Sequence, residues 1–226
     1  MTASPDRPGQ MRLPLRRGLS GHEEAFVLSA SNAAAHEALQ GWPTTLGGAA
    51  ALHGPPGSGK SHLARLWAER VGALPFHGME VALADPLELE GRPLLLDAAQ
   101  TVDDETLFHL LNLAQAPGGS LLLVSRDPPG SWPVELPDLK SRLNGLLVLG
   151  IQPPDDAVLA AMFRARFAER SLQPADDVID YLIRRVDRSA DSVERIVDLL
   201  DQAHAPVTRA LARKVLDESG DLFAPE

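Results

Sequence analysis

Residues Gly54-Pro55-Pro56-Gly57-Ser58-Gly59-Lys60-Ser61 spell G-x-x-x-x-G-K-S. Glycines at this spacing let a chain curl so that successive N–H groups point inward at phosphate oxygens. Lys60 is then placed to reach the β- and γ-phosphates of a nucleotide, and Ser61 to offer its hydroxyl to Mg²⁺. The residues before the loop, Ala49-Ala50-Ala51-Leu52-His53, read as a short buried strand, and those after it, from His62 to Arg70, read as a helix. Strand, loop, helix is the context such a loop needs, and the helix adds the positive end of its dipole. The stretch is therefore the expected binding site for ADP or ATP with Mg²⁺.

Outward from the loop, apolar runs at 49–53, 74–77, 94–97, 120–125 and 146–149 are strand candidates. Helix candidates at 60–71, 103–115 and near 137–143 alternate with them. This alternation predicts an α/β domain with a parallel sheet and helices on both faces. A helical pattern also runs from Ala30 to Leu39 and stops at Gly41 and Pro43. After Gln152-Pro153-Pro154 the pattern turns all-helical. Val178, Ile179, Leu182, Ile183 and Val186 keep helical spacing, as do Val193, Ile196, Val197 and Leu200. A last helix is expected from the cap Thr208 to about Leu216. These stripes are read as core. The expected organisation is a flexible tail over 1–20, a nucleotide-binding α/β domain over 21–152, a helical lid over 153–220 and a short tail over 221–226.

The chain has 226 residues, 44% of them hydrophobic, a formal net charge of −10 and no cysteine. The length supports one sizeable core with a small second one. Without cysteine there are no disulfides, thiol nucleophiles or thiolate metal sites. No apolar run approaches the ~18 residues of a membrane span, and the start carries no signal-peptide pattern, so a cytoplasmic protein with no membrane partner is expected. So acidic a chain is poorly suited to broad DNA binding, which phosphate neutralisation drives. DNA contact is expected only indirectly, through a partner.

A phosphate-binding loop needs an acidic partner for Mg²⁺ at the end of a neighbouring strand. Leu94-Leu95-Leu96-Asp97 supplies one. Hydrolytic relatives of such sites carry a second carboxylate directly after the first, where this chain has Ala98. Asp103, Asp104 and Glu105 lie nearby but suit the start of the next helix. Mg-nucleotide binding with weak or no intrinsic hydrolysis is the expectation. Ser125 ends the strand Leu121-Leu122-Leu123-Val124 and is a candidate contact for the γ-phosphate or a water; the alternative is a serine tied into a turn. Arg142, in Lys140-Ser141-Arg142-Leu143, precedes the last strand, and its alternative is an ion pair with Asp138 or Glu135.

The loop, Asp97, Ser125 and Ser141-Arg142-Leu143, followed by a four-helix lid, resemble an AAA+ ATPase of the bacterial initiator (DnaA) clade. The resemblance runs from residue 10 to about 220. In the tail, Gln10-Met11-Arg12-Leu13-Pro14-Leu15 resembles the peptide that docks on the bacterial sliding clamp, the β subunit of DNA polymerase III. Leu13 and Leu15 would fill an apolar pocket, Pro14 would restrict the bound backbone and Gln10 would hydrogen-bond at the rim. The combination is similar to the regulatory inactivators of the initiator. It implies a clamp-tethered negative regulator of replication that offers Arg142 in trans to the nucleotide of ATP-bound DnaA, with Ser125 in the position that senses the γ-phosphate, and with homo-oligomers possible. Two departures stand out. Ala98 replaces the second acid. Asp191 stands where the clade's lid helix carries a nucleotide-sensing arginine, with Arg188 one turn earlier as a substitute. A helicase-loader-type ATPase shares the core and lid, but the clamp peptide argues against it. A metabolic P-loop kinase would need arginines on a mobile lid, whereas the lid here reads as a regular bundle.

Overall fold

The computed structural model describes residues 26–43 and 48–220. The expected clamp peptide Gln10–Leu15 and the two terminal tails lie outside the described residues. The elements follow in the order α1 (Ala33–Gln40), β1 (Gly48–His53), α2 (Lys60–Val71), β2 (Leu74–His77), α3 (Pro86–Leu89), β3 (Pro93–Asp97), α4 (Asp104–Leu113), β4 (Ser120–Ser125), α5 (Pro137–Asn144) and β5 (Leu147–Gly150). Four more helices complete the chain: α6 (Asp156–Glu169), α7 (Asp176–Ile183), α8 (Ala190–Gln202) and α9 (Arg209–Gly220).

The five strands form one parallel sheet in the order β2-β3-β4-β1-β5. Parallel strands covered on both faces read as unbroken apolar runs, and the packing shows why. Alternate residues Ala51, Leu94, Leu96, Leu121 and Leu123 enter one core with Leu107, Leu110, Leu139 and Leu143 from α4 and α5. The intervening Ala50, Leu52, Leu95, Leu122 and Val124 enter a second core with Leu39 of α1 and Leu63 and Trp67 of α2. A third core lies wholly within α6–α9, around Phe163, Phe167, Leu182, Val197 and Leu200. Ile151 still belongs to a sheet core and Leu159 already to the third, so the Pro153-Pro154 segment bridges the two units.

Three local differences from the sequence pattern have identifiable causes. Helix α1 starts at Ala33, because Asn32 accepts a bond from the Ser29 N–H (3.0 Å) and donates to the Val27 carbonyl (2.9 Å), fixing a turn where the pattern read as helix. Residues 78–89, which carried no assignment, form a 3-10 turn (Gly78–Leu83) and α3, started by Asp85 as an N-cap on Leu87. Helix α9 runs to Gly220, one turn past its last apolar stripe residue.

Candidate nucleotide site

All parallel strands point their C-terminal ends the same way, and the order β3-β4-β1 gathers three of those ends side by side. Asp97 ends β3, Ser125 ends β4, and the loop Gly54–Ser61 leaves β1. His53 and Ser125 are level across the β1–β4 pair. The loop then enters α2 through Gly59, whose left-handed backbone (φ 91°) precedes Lys60. Free N–H groups of the first helical turn face the loop's interior, where an anion is favoured.

The acceptor pair is assembled. Ser61 Oγ donates to Asp97 Oδ2 at 2.8 Å, and Asp97 Oδ1 accepts from the Ala98 N–H at 2.8 Å. This fixes the carboxylate beside the hydroxyl, as a shared Mg²⁺ would require. Lys60 Nζ folds back onto the Pro55 carbonyl at 2.6 Å. Burial pushes its pKa down; Asp97 opposes that shift and Arg126 adds to it. A half-buried ammonium with this bias gains from a phosphate beside it. Ser58 Oγ is buried in the loop with no hydrogen-bond partner among the described residues. An orphaned hydroxyl of this kind costs free energy unless a ligand satisfies it. Loop curvature, the Ser61–Asp97 pair and the unpartnered Ser58 hydroxyl all fit a Mg-nucleotide. Among the described residues no group of three or more His, Asp or Glu is gathered, so phosphate oxygens and water would complete the Mg²⁺ shell, its usual arrangement.

Gly57 shows how closely the lid approaches. A Cβ there would lie 2.4 Å from the Ala190 nitrogen and 3.2 Å from Ser189, at a φ of 67°. The N-terminus of α8 thus sits on the loop's tip. Ser189 caps that helix by accepting from the Ser192 N–H at 3.2 Å. Asp191 is exposed in the same turn. Arg188 is tied elsewhere: it donates to the Pro154 carbonyl (3.0 Å) and pairs with Asp156 (2.6 Å), bracing the α7–α8 turn against the start of α6.

Ser125 is buried, and its hydroxyl donates to the Asp127 carbonyl at 2.7 Å. Its hydrogen is therefore committed to the turn after β4, leaving its oxygen as an acceptor. Asp103 and Asp104 are equally committed. Asp103 caps α4 through Thr106, and those hydrogen bonds hold its pKa below the usual carboxylate range. Asp104 accepts from the Glu135 and Leu136 N–H groups at 2.8 and 3.0 Å.

Arg142 lies at the far end of the sheet. It lines a groove of about 310 Å³ with Gly48, Ala49, Leu111, Gln115, Gly145 and Leu146. Gly48 begins β1 and the loop follows its end, a separation of about 17–20 Å at the usual rise per residue. The guanidinium donates to Asn112 Oδ1 at 2.7 Å and rests 4.6 Å from the Phe108 ring centre. Neither Asp138 nor Glu135 is its partner. One residue at the nucleotide end escaped the sequence reading altogether: Arg126, whose proximity becomes visible only once β4 is placed between β3 and β1.

No protein-family model matches the chain. It is 33% identical over 131 residues to the chromosomal replication initiator protein DnaA of Thermomicrobium roseum, and 28% identical over 141 residues to DnaA of Thermus thermophilus. The alignments cover 56% and 58% of this chain but only 28% and 32% of those initiators, so the chain spans under a third of their length. Domain III of the Thermotoga maritima initiator superposes with a TM-score of 0.70 at 19% identity, covering 85% of this chain and 94% of that one. The Holliday junction branch migration motor RuvB of the same organism matches with a TM-score of 0.58. An uncharacterized protein of Haemophilus influenzae is 32% identical over 175 residues, 71% of this chain and 76% of that protein. The chain belongs to one family with that Haemophilus protein, is homologous to DnaA, and has the AAA+ fold of the initiator's domain III.

Proposed function

We propose that the chain is an Hda-like regulatory inactivator of DnaA: a nucleotide-bound, clamp-tethered AAA+ protein that stimulates ATP hydrolysis by the initiator and so restrains replication initiation. The observation that carries this reading is the placement of Arg142. An arginine roughly 17–20 Å from its own loop has no role at its own nucleotide, yet it lies at a surface groove and is held by a neutral amide and a ring rather than by a carboxylate. It keeps its charge available to a neighbouring molecule. Such a guanidinium, offered in trans, stabilises charge developing on a transferred phosphoryl group and is worth roughly 10³–10⁵ in rate in other systems.

The chain's own site acts as a binding site in this reading. The loop N–H groups, Lys60 and Ser58 hold phosphates of ADP or ATP, and Ser61 with Asp97 holds Mg²⁺. Initiators bound to AMPPCP are among the structures sharing the fold, which supports the nucleotide assignment. Gln10, Met11, Leu13, Pro14 and Leu15 tether the protein to the sliding clamp. The test is to add the chain to ATP-bound DnaA with clamp-loaded DNA and follow phosphate release. Stimulation that disappears when Leu13 and Leu15 are both changed to alanine is expected. Unaltered DnaA turnover with the unmodified chain contradicts the proposal.

A further inference from the structure

The segment between β2 and β3 has an outer surface that the fold leaves uncovered. Its inner side is fixed. Val81, Ala84 and Leu89 pack into a sheet core, and Asp85 caps α3 by accepting the Leu87 N–H at 2.9 Å. Its outer side carries Met79, Leu83 and Leu87. Leu83 is 89% exposed and Leu87 79%, more than any other large apolar side chain among the described residues. An anchored turn that holds leucines in water forgoes their burial, and exposed apolar groups gathered in this way mark contact surfaces. Glu80, Asp85, Glu88 and Glu90 are exposed on the same stretch. None of them forms an ion pair among the described residues. The surface therefore fits a partner that is apolar and basic at once.

The chain itself contains such a segment. Met11-Arg12-Leu13-Pro14-Leu15-Arg16-Arg17, outside the described residues, holds three large apolar side chains, three arginines and no acid. The C-terminal residues 221–226 carry Asp221 and Glu226 and have the wrong charge. We propose that the surface formed by Met79, Leu83 and Leu87 with its rim of carboxylates is a docking site for Met11–Arg17 of the same chain. Met11, Leu13 and Leu15 fall on one side of an extended backbone and cover the exposed leucines. The long arginine side chains reach the carboxylates around them. Exposed ion pairs alone are weak, so the leucines supply most of the attraction and the arginines select the partner. The distances allow it. The Phe26 ring lies 5.5 Å from the ring of His62, in the first turn of α2, so the tail joins the fold at the C-terminal end of the sheet. The docking segment follows the same end of β2, three strand spacings from β1, or about 14 Å, and on the opposite face. The chain between Arg17 and Phe26 spans up to about 30 Å when extended. In the proposed function Leu13 and Leu15 contact the sliding clamp, so docked and tethered states exclude one another. The docking itself does not depend on that reading.

The test uses the absence of native cysteine. Gly9→Cys is combined with Ala82→Cys beside the surface, or with Gln40→Cys on α1 as a control, in the full chain under mild oxidation. The expected result is an intramolecular disulfide that forms at least ten-fold faster with Ala82→Cys than with Gln40→Cys. Adding Leu83→Ser and Leu87→Ser should remove that preference without lowering the melting temperature, since both leucines are exposed. Equal rates at the two positions, or a preference that survives the serine changes, would overturn the proposal. So would a preference seen only as disulfide-linked dimers, which places the segment on a second copy. Clamp binding gives a separate readout. If the segment is docked about nine-tenths of the time, freeing it with Leu83→Ser and Leu87→Ser tightens clamp binding about ten-fold. Clamp binding unchanged by those substitutions contradicts the docking. A clamp that binds neither protein contradicts the tether, and the disulfide rates still decide the docking.

Discussion

Ala98 follows Asp97 in left-handed backbone, with φ 54°. For a residue with a Cβ this conformation is uncommon and mildly strained. It turns the chain so that the Ala98 N–H bonds Asp97 Oδ1, which orients the carboxylate but leaves a methyl group where a water-polarising acid would stand. The nearby acids Asp103 and Asp104 are held by backbone N–H groups. The purified chain should therefore hydrolyse ATP far more slowly than about 1 per second, the lower end of ordinary enzymes; steady-state turnover near that value contradicts this assignment. Lys60 yields a second prediction at the same scale. Ligand at a hundred times its dissociation constant stabilises a fold by about 2.7 kcal/mol. Saturating Mg-nucleotide should raise the melting temperature of the parent, and Lys60→Ala should abolish that rise.

Helix α8 meets the loop through a contact with no room for a side chain. Gly57→Ala forces a Cβ toward the Ala190 nitrogen and adds a left-handed backbone cost of about 1–2 kcal/mol. Thermal unfolding should show at least that loss, with weaker nucleotide binding besides. Asp155 makes the other join. It caps α6 through Val158 at 3.1 Å. Burial alone would raise its pKa, but hydrogen bonds from Val158, the Ser29 hydroxyl, Ala157 and Ser31 outweigh burial and hold it low. A depressed carboxylate stabilises the fold above its unfolded pKa, and that stability is lost as pH falls through the folded value. Asp155→Ala should cost about 1 kcal/mol at neutral pH. The deficit relative to the parent should shrink below the ordinary carboxylate range; a deficit that persists unchanged in acid contradicts the linkage.

These elements also show what the sequence reveals and what it hides. The glycine loop, the strand 74–77, the strand 120–125 and helix 60–71 are legible to the residue, because buried parallel strands are apolar runs and the loop's chemistry is local. Asp97 is legible for the same reason. Arg126 is not: a lone arginine after a strand looks like any surface charge until the sheet order is known. The Gly57–Ala190 contact joins residues 133 positions apart and leaves no periodic trace. Residues 78–89 hide their helical turns because Leu83 and Leu87 are exposed there, breaking the apolar pattern that helix assignment relies on.

Across the molecule, the two ends of one sheet gather different groups. The C-terminal strand ends gather Ser61, Asp97, Arg126 and the loop; the N-terminal end of β1 lies beside Arg142. The lid's own core joins the sheet domain through the Pro153-Pro154 segment, whose Pro154 carbonyl accepts from Arg188, and through the Gly57 contact. In the proposed role, nucleotide at one end of the sheet would leave Arg142, at the other end, to act on another molecule. The most direct measurement of this account is ATP hydrolysis by DnaA on clamp-loaded DNA in the presence of Arg142→Ala, alongside nucleotide and clamp binding by the same variant. The account predicts a folded protein that binds both ligands normally and has lost nearly all stimulation, with Arg142→Lys almost as deficient because a lysine lacks the planar, multi-donor fork. Full stimulation by folded Arg142→Ala would contradict the trans-acting role.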